Sequence, residues 1–512
     1  MPEKFNLYDY FLGEGRLARI GDNQAILFRG RSFSYSDLNG DVLHWAARLA
    51  NSGLGPSDRV ALYLYDSPDQ IAAFLAAMSL GAIAVPLNTF LPPRDVNFIL
   101  ADSGATAVVA ETELTDRLGG AASSLGTAPA LIEIDTESRH CLDSHRTGGL
   151  VRTSANTTRT TPAFILYTSG STGTPKGVLH THGSIPATVD SYCRTVLHLQ
   201  PGDRIYSASR MFFAYGLGNS FSFPLASGAT TILHTERATP DTVAAVLDSY
   251  APTVFFGVPA LYQALIDLKK HGAAVNTSSL RLCVSAGEAL PARVFEDWKR
   301  LFGLSILDGI GSTEMLHIFI SNRPGEEQPG STGSVVMAYQ ADLRDEDGRS
   351  IDGDGTGNLW VKGDSAFAEY WNLPDLTLST KREGWVRTGD TYRRESSYFF
   401  HVGRSDDCFK VKGLWVSPVE VEGALIEHEK VKEAAVVQDL DPAGLATVHA
   451  FIVIGKDGDP QGLEDDLRSH VARRLAGHKV PSAITVVDEL PRTATGKVQR
   501  FKLRLDKETT SR

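Results

Sequence analysis

Tyr167-Thr168-Ser169-Gly170-Ser171-Thr172-Gly173-Thr174-Pro175-Lys176-Gly177 is the stretch on which the reading of this chain turns. It follows a strand-like Phe164-Ile165-Leu166. Glycines let backbone come close to a ligand, so several N–H groups can converge on anionic oxygens, and the hydroxyls and one lysine add donors. That is a composition for holding phosphate. It is not a Walker A loop, G-x-x-x-x-G-K-[ST], because Thr174 and Pro175 alone separate Gly173 from Lys176 and Gly177 follows the lysine. A solvated Ser/Thr/Gly linker describes Thr153 to Thr161 better than it describes this ordered loop.

Outward from the loop, Ala/Leu-rich helical patterns alternate with β-branched runs through the first 330 residues. Val60 to Tyr65, Ala107 to Ala110, Thr253 to Phe256 and Leu282 to Ser285 are examples. This alternation predicts βαβ units and a layered α/β architecture. The apolar run Ile71 to Leu87 is broken by Ser79 and Gly81 and closed by Pro86, so it reads as a buried helix ending at Gly81 and then a strand Ile83 to Leu87. Gly330 to Gly363 reads as turn-rich β-structure with a hairpin turn at Asp347-Gly348. Strands at Glu433 to Gln438, Val448 to Val453 and Ala483 to Val487, with a helix over Leu463 to Leu475, predict a second, smaller α+β domain. The boundary is set at 1–404 and 405–512, with Arg404-Ser405-Asp406-Asp407 as a hinge.

Bulk properties exclude several classes. A chain of 512 residues exceeds one compact core. A net charge of -11 disfavours nucleic acid and anionic membrane surfaces as partners. Cys141, Cys193, Cys283 and Cys408 form no CxxC pair, and His140, Cys141 and His145 lack a second ligand pair, so neither disulfides nor zinc are expected. Asp342, Asp345 and Asp347 fail the EF-hand pattern, whose first position falls on Leu343. Met1-Pro2-Glu3-Lys4 opens no apolar signal core, and scattered cysteines fit a reducing compartment, so a cytoplasmic location is expected.

Further motifs appear in order along the chain. They are Ser79 to Leu87, Ala286-Gly287-Glu288-Ala289-Leu290-Pro291, Gly309-Ile310-Gly311-Ser312-Thr313-Glu314, Thr388-Gly389-Asp390, Gly403 to Asp407, and Pro491 to Lys497. With the phosphate loop, this set resembles the acyl-adenylate-forming superfamily of acyl-CoA synthetases, adenylation domains and luciferases, over essentially the whole chain. The resemblance implies ATP, Mg²⁺ and coenzyme A as cofactors or co-substrates. It implies that Thr168, Ser169, Gly170, Ser171, Thr172, Gly173 and Lys176 hold phosphate, and that Gly287, Glu288, Asp308, Gly309 and Ile310 contact the nucleotide. Ile310 stands where many relatives place an aromatic ring against adenine. Thr313 would contact the α-phosphate, Glu314 would be the metal ligand, Asp390 would accept from the ribose hydroxyls, and Arg404 would contact ribose or phosphate. Lys497 would bridge the carboxylate and the α-phosphate during adenylation. Asp406 matches the hinge about which the small domain rotates, and Gly413 the glycine lining the thiol tunnel.

Arg210 to Ser220, followed by Phe223-Pro224-Leu225, is aromatic and Gly-rich, which by itself reads equally as helical core packing. Within the superfamily it looks most like the benzoate–CoA ligase subfamily, as does Gly311 to Phe319. Phe213, Ala214, Tyr215, Gly216, Gly311, His317 and Ile318 are thereby assigned to an aromatic-acid pocket. His317 is expected beside the carboxylate or a ring substituent. Ala214 stands where amino-acid-activating relatives carry an aspartate, which argues against an α-amino acid. The implied activity is an ATP-dependent aryl-acid–CoA ligase acting on benzoate or an amino- or hydroxybenzoate. One alternative is a stand-alone adenylase loading a separate carrier protein, since the chain ends soon after Lys497 and no fused carrier domain is expected; a non-catalytic nucleotide-binding relative is the other, which the presence of Lys176, Thr313, Glu314, Asp390, Arg404 and Lys497 argues against. A homodimer is a further expectation from the resemblance.

Overall fold

The computed structural model describes residues 3–118, 129–135, 154–169, 174–405, 407–441, 444–455, 462–492, 498–500 and 502–503. Gly170 to Gly173, Asp406, Lys497 and the His140-Cys141/His145 group lie outside these residues.

Among the described residues, two large sheets build the N-terminal part. The seven-stranded sheet runs Glu369–Tyr370, Pro175–Thr181, Pro162–Ser169, Ile83–Pro86, Arg59–Tyr63, Ala107–Glu111, Ala130–Ile134. Its last five strands are parallel, whereas Pro175–Thr181 folds back antiparallel on Pro162–Ser169 and pairs on its other edge with Glu369–Tyr370. The nine-stranded sheet runs Ser334–Val335, Ile318–Ser321, Ile306–Gly311, Leu282–Ser285, Val254–Gly257, Arg204–Ser207, Thr230–Leu233, Gln24–Phe28, Arg31–Ser34. Six of these strands form its parallel centre, with Leu282–Ser285 beside Ile306–Gly311.

The helix Pro68–Leu80 shows how sequence dictates this layering. Ser67 caps it through the Gln70 N–H, Pro68 opens its first turn, and Gly81 ends it with φ 71°. Both choices follow from chemistry: proline needs no donor there, and glycine tolerates the left-handed cap. Nearly every residue of the helix is buried, and Phe74 meets Phe164 and Phe221 at 5.6 and 5.0 Å. Burial of each such side chain contributes about 1.5–3 kcal/mol. The strand after it, Ile83–Pro86, falls where the apolar run places it. No helix among the described residues is long and apolar enough to cross a membrane.

A five-stranded antiparallel unit follows, made of Gln340–Arg344, Gly355–Lys362, Lys381–Arg382, Trp385–Glu395 and Tyr398–Arg404. Asp347-Gly348 is its hairpin turn, with Gly348 at φ 81°. The nearby acidic residues are engaged: Asp342 by Arg344 and Ser350, Asp345 by the Arg349 N–H, and Asp347 by the Arg349 guanidinium. Beyond it lies the smaller C-terminal domain. It comprises a hairpin of Phe409–Val411 and Leu414–Val416, the helix Pro418–Ile426, the sheet Val431–Leu440, Ala446–Ile454, Ala483–Val486, and the helix Leu463–Ala472. Its apolar side chains form a separate core. The helix stops three residues short of the predicted Leu475 because Arg473 and Arg474 close it in a looser turn.

Candidate active site

The turn Ser312 to His317 links the antiparallel strands Ile306–Gly311 and Ile318–Ser321. Ser312 Oγ accepts from the Met315 N–H at 3.2 Å, the Leu316 N–H donates to Thr313 O at 3.1 Å, and Leu316 takes φ 66°. A left-handed leucine costs about 1–2 kcal/mol, so the surroundings must impose it. They do so at three consecutive carbonyls. Thr313 O lies 2.8 Å from His180 Nε2, Glu314 O accepts from the Phe367 N–H at 2.7 Å, and Met315 O accepts from Ser365 Oγ at 2.8 Å. Burial drives His180 down to about 4, so its imidazole is neutral and Nε2–H is the donor. Phe164 stacks against its ring at 5.2 Å.

His180 sits on Pro175–Thr181, the strand that leaves the phosphate loop, and Lys176 near its start pairs with Thr168 while Ser169 pairs with Pro175. One strand therefore carries the loop's lysine at one end and grips the Thr313-Glu314 turn at the other. The Glu314 carboxylate takes a hydrogen bond from Tyr370 Oη to Oε1 at 2.7 Å. Among the described residues, its other oxygen has no hydrogen-bond donor.

Asp390 and Arg404 reach the same region from the antiparallel unit. They are register partners, Arg404 Nη1 lies 3.3 Å from Asp390 Oδ1, and the Arg404 charge is felt at Tyr370. Gly389 has φ 78°, and a Cβ there would lie 2.7 Å from Arg404 Nη2, so glycine lets the guanidinium lie over the turn. Gly287 follows the strand Leu282–Ser285 at φ 95°, with Glu288 next to it. Gly309 and Ile310 lie on the neighbouring strand Ile306–Gly311, with Ile310 half-buried. Asp308, paired in register with Ser285, is buried and held well above the carboxylate range by desolvation.

Of the residues expected to line an acid pocket, Tyr215 and Gly311 meet His317. This side chain is buried and pushed down to about 3 by desolvation, hence neutral, and its Nε2 lies 3.1 Å from Asn219 Oδ1. Phe223, Tyr192 and Tyr215 surround the imidazole at 4.5, 5.4 and 5.5 Å. The Tyr215 hydroxyl points to Gly257 O and Val284 O, so the ring is the part it presents elsewhere. Gly216 is obligatory, since a Cβ would sit 2.0 Å from Arg210 O. Ala214 and Ile318 are buried, Phe213 is half-buried, and Gly311 is exposed. The segment is not one α-helix: Ala214–Leu217 and Phe223–Ser227 flank a wider π turn at Gly218–Ser222. Such bulges occur often at functional sites. Buried Asp66 fixes the start of this segment by accepting from the Met211 N–H at 3.1 Å.

Gly413 stands apart from these residues, at φ 79° in an open hairpin turn with no heavy atom within 4 Å of its Cβ position. On either side of the 493–497 stretch, Arg492 bridges Val498, and Arg500 pairs with Glu422 at 2.8 Å. His180, Ser365, Tyr370, Asn219 and Asp66 escaped the sequence reading. His180, in the strand just after the loop, and Asn219, inside the Arg210 to Ser220 segment, carried a local signal; the other three did not.

A strand leaving the Gly-rich loop and locked to a Thr-Glu turn, a paired Asp and Arg, and a separate C-terminal α+β unit are the features of an adenylate-forming architecture. Residues 14–371 match the model of the AMP-binding enzyme family and residues 420–497 that of the AMP-binding enzyme C-terminal domain; the chain belongs to this family. Within it, the chain is 42% identical to the benzoate–CoA ligase of Thauera aromatica, over 98% of this chain and 96% of that protein. It is 37% identical to the anthranilate–CoA ligase of Pseudomonas aeruginosa, over 94% and 93%. Among solved structures, an anthranilate CoA ligase in complex with anthranoyl-AMP matches with a TM-score of 0.94 at 34% identity, covering 100% of this chain and 99% of that one. A benzoate CoA ligase from Burkholderia xenovorans matches at 0.89 and 39%, covering 98% and 100%.

Proposed function

We propose that this protein is an ATP-dependent aryl-acid–CoA ligase. It joins a benzoate-type carboxylate to the α-phosphate of ATP with loss of pyrophosphate, then passes the aroyl group to the thiol of coenzyme A. The observation that carries the reading is one turn, Gly311 to Ile318. It presents Thr313 and Glu314 toward the phosphate strand and, three residues on, His317 inside an aromatic cage.

Two anions must meet in the first half-reaction, so catalysis rests on positioning and charge neutralisation. Lys176 and the loop Thr168 to Gly173 hold the β- and γ-phosphates, Thr313 the α-phosphate, and Asp390 with Arg404 the ribose. Gly287, Glu288, Asp308, Gly309 and Ile310 line the adenine. Lys497 brings its ammonium between the attacking carboxylate and the α-phosphate. Glu314 fits a Mg²⁺ ligand: Oε1 is held by Tyr370, Oε2 has no donor among the described residues, and one carboxylate plus substrate phosphates and water is a usual donor set for this ion. When bound, Mg²⁺ neutralises phosphate charge.

The acid lies against Ala214, Tyr215, Gly216, Gly311, His317 and Ile318, with Phe213 at the rim. A neutral imidazole among aromatic rings suits an uncharged ring rather than an ammonium group. In the second half-reaction the C-terminal domain, 405–512, turns about Asp406 and brings the Gly413 hairpin to the thiol. The test is acid-dependent ATP–pyrophosphate exchange over benzoates, short fatty acids and amino acids, with CoA products identified by mass. Exchange with benzoates and an aroyl-CoA product are expected. No exchange with any acid sinks the enzyme reading, and exchange with aliphatic acids alone sinks the aromatic pocket.

A further inference from the structure

Tyr370 lies 56 residues after Glu314 and belongs to none of the motifs above, yet its hydroxyl donates to Glu314 Oε1 at 2.7 Å. The short segment around it holds the turn and the phosphate strand at once. Phe367 N–H donates to Glu314 O at 2.7 Å, Trp371 N–H donates to Gly177 O at 2.8 Å, and Tyr370 is the strand partner of Val178. Tyr370 is itself immobilised. Its N–H donates to Thr377 Oγ1 at 2.9 Å, and its ring packs on Phe367 at 4.8 Å. Toward Glu314 the phenol O–H is the donor, because a carboxylate oxygen can only accept.

We propose that Tyr370 is a positioning residue: its hydroxyl fixes the Glu314 carboxylate so that one oxygen is committed to the protein and the other faces the metal and phosphates. A glutamate has three side-chain torsions to lose, and an outer partner that fixes them raises affinity for what the carboxylate holds. The segment 367–371 also sets the distance between that carboxylate and the strand bearing Lys176. Tyr370 thereby couples metal-linked ATP binding to the phosphate loop. The inference rests on the adenylating role proposed for Glu314.

The test compares the full-length protein with Tyr370→Phe, which keeps the ring packing and removes one oxygen. Calorimetric titration of ATP, with and without Mg²⁺ and with no acid present, reads the tightening of ATP binding by the metal. Tyr370→Phe should lower that tightening about tenfold and slow adenylate formation about tenfold. Thioester formation from supplied benzoyl-adenylate and CoA should stay within about twofold. In a Glu314→Gln background, adding Tyr370→Phe should change nothing further. Unchanged metal-linked tightening in Tyr370→Phe, or a full additional loss in the Glu314→Gln background, overturns the proposal. Should the wild type bind ATP with Mg²⁺ yet adenylate no aryl acid, the ligase reading fails, and the titration still decides the role of Tyr370.

Discussion

Asp390 and Arg404 face each other across a two-stranded hairpin, with Arg404 Nη1 3.3 Å from Asp390 Oδ1. The carboxylate is largely enclosed while half of the arginine side chain is open to solvent. The pair thus holds an ordered acceptor next to a cation that can swing toward a ligand.

Asp390→Asn should therefore raise the KM for ATP at least about tenfold, because a hydrogen bond to a charged acceptor is exchanged for a weaker neutral one. The KM for benzoate should move by less than about twofold. Steady-state kinetics with each substrate varied checks this, and an equal rise in both constants would show that Asp390 serves the fold of the hairpin instead.

Gly218 packs against the pocket imidazole from behind. A Cβ there would lie 2.2 Å from His317 Cδ2 and 2.5 Å from Nε2, well inside contact distance. Gly218→Ala should destabilise the protein by about 1–3 kcal/mol. It should also raise the KM for benzoate more than that for ATP, since His317 is the side chain proposed to contact the acid. Urea unfolding together with kinetics measures both effects.

The buried histidines give a signed pH dependence. His180 falls to about 4 in the folded protein, from an ordinary 6.5. Below 6.5 the unfolded chain takes up a proton that the folded one refuses. The stability held by neutral His180 is therefore complete above that pH and is lost as pH falls toward 4, at up to about 1.4 kcal/mol per unit. His182, at about 4, and His317, at about 3, act in the same direction, while Asp66, raised to about 6, opposes them. His180→Gln should be less stable than wild type at pH 7, with the gap narrowing at pH 6 and again at pH 5. A constant gap in urea unfolding at the three values would contradict a neutral, buried His180.

Lys497→Ala should slow adenylate formation by at least about a hundredfold, while thioester formation from supplied benzoyl-adenylate changes by less than about threefold. An ammonium between two anions matters only while both are present. Rapid-quench measurement of each half-reaction decides, and equal losses would remove the role proposed for this lysine.

What could be read in the sequence was what is local. Gly81 ends a helix because a left-handed cap needs glycine, and Asp347-Gly348 turns a hairpin for the same reason; both are written in one or two residues. The motifs after Leu282–Ser285 and at the end of Ile306–Gly311 were picked out by resemblance, and the structure places them in or at the ends of adjacent strands, where loops commonly carry functional residues. The π turns at Val189–Leu197 and Gly218–Ser222 were not, since the apolar spacing of a short helix does not distinguish them from α turns. Asn219, 98 residues from its partner His317, and His180, 133 residues from Thr313, were invisible in role for a different reason. The His180 bond exists only once the two large sheets have assembled, and the Asn219 bond only once two distant connections of the nine-stranded sheet have met.

The hairpin Phe409–Val411 and Leu414–Val416 leaves one experimental opening. Of the six tryptophans, Trp45, Trp298 and Trp360 are buried, Trp371 and Trp385 are half-buried, and Trp415 alone is exposed, at 51%. The Lys410 ammonium sits 4.5 Å over its ring. An indole wetted on one side and capped by a cation emits to the red, and covering it shifts that emission to the blue. Trp415 is thus a native fluorophore on the very turn that carries Gly413. Were the C-terminal domain to turn as proposed, its spectrum would time the passage between the two half-reactions in unlabelled protein.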